Sequence, residues 1–71
     1  MKYLVIVEKS KKSFGAYVPD LPGCVAVART EAQVKKLITE AVALHLEDMH
    51  ERGEKPPKPH SKVEYVELSA A

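Results

Sequence analysis

Cysteine is almost missing from this 71-residue chain. Cys24 is the only one, so no disulfide within the chain can brace the fold. Glycine occurs only at positions 15, 23 and 53, too scattered to build a loop that cradles phosphate. An excess of charge is missing as well: 11 Lys and Arg stand against 10 Asp and Glu, for a net charge of +1. That balance supplies no general electrostatic pull toward nucleic acid or an anionic membrane. Long apolar runs are also missing. Tyr3–Val7 is followed at once by Glu8 and Lys9, which does not fit a signal-peptide core. Nothing approaches the roughly 18 apolar residues of a membrane span. We therefore expect a soluble, cytoplasmic protein that makes no contact with a membrane. Its length suits one domain, residues 1–68, with 69–71 as a fraying, disordered tail. A chain this small buries only about 60–65% of its unfolded surface, so its own core is thin. With no disulfide available, association with a second copy or another partner is the expected supplement.

What the chain does have is concentrated in residues 14–34. Phe14, Ala16 and Val18 alternate with Gly15 and Tyr17, the period of a strand. Pro19 and Pro22 cannot donate to a ladder, so that strand must stop at Val18. Pro22-Gly23 fits the centre of a tight turn, with Gly23 free to take a positive φ. Cys24–Ala28 is β-branched enough to restart a strand. Thr30 then has the chemistry of a helix cap, with Gln33 at the spacing of a capping box.

On either side of this unit the elements follow from spacing. Tyr3–Val7 reads as a strand with apolar residues on both faces, the mark of a central strand. Lys9, Lys11 and Lys12 lie in a polar loop. No arginine or aromatic is interleaved with them, so a solvated loop tip accounts for them better than a basic patch. Val34, Leu37, Ile38, Ala41, Val42, His45 and Met49 form one apolar stripe on a helix expected from about Glu31 to Arg52. Gly53 stops it. At 1.5 Å per residue the helix runs about 33 Å, so its last turns overhang a strand of roughly 17 Å. Leu44, Leu46 and Met49 would then need another surface. Pro56, Pro57 and Pro59 make a stiff spacer. A linker explains Pro56-x-x-Pro59 more simply than a polyproline ligand does. Lys62–Leu68 alternates and reads as a fourth strand. The fold class expected is therefore α+β in two layers, in the order β-β-β-α-β. A right-handed crossover would give a mixed four-stranded sheet of order 3-2-1-4, with one long helix on one face. The opposite face is left bare, which argues for a homodimer or higher oligomer.

A search for chemistry returns little. Cys24 has no histidine near it in sequence and fits a small buried core residue. His45 and His50 project about 140° apart on a helix and cannot share an ion, and His60 sits among the prolines. Asp20 lies between Val-Pro and Leu-Pro, where capping of a turn accounts for it. Glu40, Glu47, Asp48 and Glu51 fall mostly on the solvent side of the helix. No catalytic, cofactor-binding or metal-binding residue emerges, and no enzyme is expected.

Residues Phe14–Cys24, with Val-Pro-Asp-Leu-Pro-Gly-Cys at their end, then Thr30, Glu40-Ala41-Val42 and the Gly53–Pro59 exit, together resemble the HicB-like antitoxin family. The resemblance spans nearly the whole chain. It implies a partial ribonuclease H-like module that lacks the acidic catalytic cluster. It also implies a partner, a HicA-type toxin, which is a small ribonuclease with a double-stranded-RNA-binding-like fold. Longer members continue into a DNA-binding domain, whereas this sequence ends at Ala71, so direct DNA binding is not expected. The family often has glycine two residues before the threonine and Glu-Ala after it. Here those places hold Ala28 and Gln33-Val34, and glutamine can still serve the cap. The residues that would contact a toxin are not encoded in the motif. Two other readings stand beside this one. The first is an orphan oligomer of the same fold. The second is a ribonuclease H-like catalytic or ligand-binding domain whose activity would depend on Asp20.

Overall fold

The computed structural model describes residues 1–69. Its elements run β1 (Ile6–Lys9), β2 (Phe14–Tyr17), β3 (Val25–Ala28) and α1 (Glu31–Glu51). The sheet is three-stranded and antiparallel, in the order β1-β2-β3. Central Ala16 pairs with Val7 on one side and Ala26 on the other, so these three share a face. Ile6, Tyr17 and Val25 are paired in the same way and share the opposite face.

α1 packs across the first of these faces, chiefly on β3 and next on β2. Val34 and Ile38 are buried on its inner side and meet Ala16, Val18, Leu21 and Cys24 in one core. Tyr3, Val5, Phe14, Ala26, Ala28, Ala41, Val42 and Leu46 close around that core. The helix begins where Thr30 Oγ1 accepts from the Gln33 N–H at 3.1 Å. It ends in a paired closure: Gly53 N–H donates to His50 O at 3.1 Å and Glu54 N–H to Met49 O at 2.8 Å. Gly53 takes φ +72°, the left-handed value this closure requires. The expected helix start, cap and stop all stand; of the three residues expected to need another surface, Leu44 is exposed, Met49 is half-buried and Leu46 packs on the core instead.

Two expectations about the sheet fail. β1 is an edge strand rather than a central one, and it lies later in the chain than Tyr3–Val7. It is at the edge because no fourth strand pairs beside it, and its later start follows from its hairpin. Ser10 and Ser13 close the loop, which makes Lys9 face Phe14 and sets the register. The ladder then ends at Ile6 opposite Tyr17, because β2 turns away at Pro19. Tyr3 and Val5 still pack on the core but have no strand opposite them.

The fourth strand is also absent, so the order is β-β-β-α and not β-β-β-α-β. The mixed four-stranded sheet of order 3-2-1-4 is not formed. Residues 62–69 take no regular secondary structure, and Tyr65 is 92% exposed. The chain reaches this point held at Asp20, which delivers it to the β2–β3 turn rather than to the open edge of β1. The radius of gyration, 14.6 Å, exceeds the roughly 11 Å of a compact chain this long, as a projecting arm requires. Of the expected 69–71 tail, residues 70 and 71 lie outside the described residues.

Candidate functional site

The Val18–Cys24 segment is two tight turns in series. Leu21 N–H donates to Val18 O at 3.0 Å, closing the first turn around Pro19-Asp20. Cys24 N–H donates to Leu21 O at 3.1 Å, closing the second around Pro22-Gly23. Each proline occupies the first central position, where its fixed φ is already correct. Gly23 has φ +86°, the left-handed value of a type II turn, as expected from Pro-Gly. Val18 N–H donates to Cys24 O at 3.2 Å and ties the ends together. Leu21 and Cys24 then point into the core.

This double turn also holds Asp20 in place. Its carboxylate does not cap the turn as expected: its hydrogen bonds go to the segment that follows the helix. Oδ1 accepts from the Ser61 hydroxyl at 2.6 Å. Oδ2 accepts from the backbone N–H groups of His60 at 2.9 Å and Ser61 at 3.0 Å. The His60 imidazole Nδ1 lies 3.1 Å from Oδ1. The Ser61 hydroxyl is the main influence on the carboxyl, followed by the Ser61 N–H, with His60 adding to both. Together they hold it at about 2, below its ordinary 3.8, against the opposing effect of burial. A second tie lies nearby, where the Tyr3 hydroxyl donates to Pro57 O at 2.6 Å. Sequence reasoning missed Ser61, His60 and Tyr3 in these roles. The available signal was an aspartate locked between two prolines and a stiff proline run able to bring a donor back to it.

The sheet face turned away from α1 is uncovered. Val25 is 63% and Val27 68% exposed there, beside Tyr17 and Ile6. Two open grooves flank the helix. Met1, Tyr3 and Val5 face Thr39, Val42 and Leu46 on the β1 side. Ala28 and Arg29 lie beside Lys36, Leu37 and Glu40 on the β3 side.

The remaining candidates are placed plainly. Cys24 is buried, and desolvation pushes its thiol up, away from the nucleophilic thiolate. His45 is half-buried on the helix, while His50 and His60 are exposed and apart from it. Among the described residues, no three His, Cys, Asp or Glu side chains lie together as a metal site would need. No helix of the described residues is long and apolar enough to cross a membrane. Lys9, Lys11 and Lys12 are all exposed around the β1–β2 hairpin.

With this geometry in view, three likenesses bear on function. A family model described as "HicB_like antitoxin of bacterial toxin-antitoxin system" matches residues 3–70. A chain of the solved "HicA3 and HicB3 toxin-antitoxin complex" is 32% identical with a TM-score of 0.70, over 84% of this chain and 70% of that one. An uncharacterized 14.9 kDa protein from the rep-hol intergenic region of Haemophilus phage HP1 (strain HP1c1) is 32% identical over 66 residues. That match takes in 93% of this chain but 50% of the phage protein, so the chain spans half the length of that relative.

Proposed function

The chain belongs to the HicB-like antitoxin family, and from that premise we propose that it binds a HicA-type ribonuclease toxin and silences it by occlusion. The observation that carries this reading is the family match over residues 3–70, together with the likeness to a chain of a HicA3–HicB3 complex. Binding alone does the work in this reading, and no bond in the toxin or its RNA is made or broken by this chain. The catalytic alternative leaned on Asp20. That carboxylate is occupied by Ser61 and His60, which gives it a structural employment. The uncovered apolar sheet face supports self-association as part of the same reading.

The test is co-expression with the small open reading frame adjacent to its gene. The expected result is a co-purifying complex and restored growth of cells that the neighbour alone arrests. Growth arrest unchanged by this chain, with no complex recovered, would remove the toxin-binding reading.

A further inference from the structure

The acids of α1 are not spread around its solvent side. After Glu31 in the first turn they are Glu40, Glu47, Asp48 and Glu51, all exposed. Each stands one or two turns from Leu44, at the three-, four- or seven-residue spacing that puts side chains on one flank of a helix. Leu37 joins the same flank two turns before Leu44. Leu44 is 66% exposed and Leu37 42%. The flank that faces the β1 side, with Thr39, Ala43 and His50, holds no acid. Arg52 holds Asp48 at 3.0 Å and Glu54 at 3.2 Å. Among the described residues no cation lies within ion-pair distance of Glu40, Glu47 or Glu51. Arg29 and Lys36 stand only at the N-terminal end of the flank, in the β3-side groove.

The fold itself works against this arrangement. Glu47 and Glu51, four residues apart, repel each other. Asp48 and Glu51 lie in the last turn, where the helix dipole favours cations. Leu37 and Leu44 leave much of their apolar surface in water. We propose that this flank of α1 is the surface that meets the toxin, seated against the cationic surface with which a ribonuclease holds RNA.

Charge selects this occupant. Nucleic acid and an anionic membrane share the sign of the flank and are repelled by it. A second copy that met the flank with its own across a two-fold axis would set like charges together. The hairpin of a second copy brings Lys9, Lys11 and Lys12 but no apolar side chain for Leu37 and Leu44. A ribonuclease binds a polyanion and so presents Lys and Arg side chains. Their charged heads suit the carboxylates, and their hydrocarbon stems suit the leucines between them. A toxin covered in this way has its RNA-binding charges already engaged, which gives occlusion a physical means.

This proposal rests on toxin binding as read above, and the experiment keeps the two apart. The natural chain and Glu40→Gln/Glu47→Gln/Glu51→Gln are titrated into the toxin recovered from the co-expression, at low and at high salt. Asp48 is left in place because it holds Arg52. Circular dichroism and melting should show the triple variant folded and at least as stable, since it removes repulsion within the helix. It should bind the toxin at least about 10-fold more weakly at low salt, and its affinity should depend less steeply on salt. Leu44→Ser should weaken binding at both salt concentrations. On isotope-labelled chain, the toxin should shift the amide signals of Leu37, Glu40, Leu44 and Glu47 and leave those of Val25 and Val27 in place. No complex with the natural chain overturns toxin binding and the role of the flank with it. A complex that the triple variant forms with unchanged affinity and salt dependence, or shifts centred on Val25 and Val27, overturns the flank alone. Shifts on the flank that appear without toxin as the chain is concentrated would assign it to a second copy and overturn the proposal as well.

Discussion

Asp20 and Ser61, 41 positions apart in the chain, are joined twice: the serine hydroxyl donates at 2.6 Å and its backbone N–H at 3.0 Å to the two carboxylate oxygens. This pair holds the post-helix segment against the double turn. Helix and sheet pack through apolar side chains, whereas the segment after the helix is tied back by hydrogen bonds, at this junction and from the Tyr3 hydroxyl to Pro57 O.

Breaking that junction should loosen the segment without unfolding the core. Asp20→Asn puts an amide where one of the two acceptors stands, and Ser61→Ala removes the hydroxyl donor. Each should lower the melting temperature by on the order of 5 °C, the effect of one net hydrogen bond in a domain of this size. The double variant should lose less than the sum, because the two share one interaction. Full additivity in the thermal melts would deny the coupling.

The same carboxyl gives a pH signature. Its folded value, about 2, lies below the ordinary 3.8, so its contribution is complete above the unfolded value and fades as pH falls through the folded one. The stability gap between the natural chain and Asp20→Asn should therefore be constant from neutrality to about pH 5 and close between there and about pH 2. Melts of both proteins across that range would show it. A gap of the same size at the acid end would contradict the assignment.

The thin core makes its centre sensitive. Ile38 is 2% exposed and meets the residues of the double turn. Ile38→Ala should cost about 2–5 kcal/mol in urea unfolding, the transfer loss plus the cavity left behind. In so small a domain that is a large part of the total stability. A cost below about 1 kcal/mol would mean that the helix is not seated as described.

Gly23 tests backbone against packing. A methyl group there would meet nothing within 4 Å, so space is not the constraint. Its φ of +86° is, and Gly23→Ala should destabilise by about 1–2 kcal/mol through that angle alone. Asparagine tolerates left-handed backbone better, so Gly23→Asn should recover part of the loss. Equal losses for the two variants in denaturant melts would point away from the dihedral.

The features legible in the sequence were those settled within a few residues. Pro19, Pro22 and Gly23 restrict their own dihedrals, so the reversal after β2 could be read directly. Thr30 and Gly53 bracket a helix whose apolar stripe repeats at its own pitch, and Cys24 reads as core because it follows a turn into a strand. Lys62–Leu68 shows the limit of such reading. Its alternation is real, yet alternation says only that a segment is suited to a strand, not that an open edge lies within its reach. β1 shows the same limit: its two-sided apolar pattern matched a central strand, but no fourth strand pairs on its other side and it is left at the edge.

By itself the amino-acid order determined where this chain bends, where its helix starts and stops, and which helical face turns inward, because dihedral preference and short-range periodicity act between near neighbours. Only the tertiary structure decided that Asp20 captures Ser61, that the sheet ends at three strands and that the last segment stands clear. Those outcomes join distant parts of the chain, and a pairing between distant parts depends on where each has already been carried by everything between them.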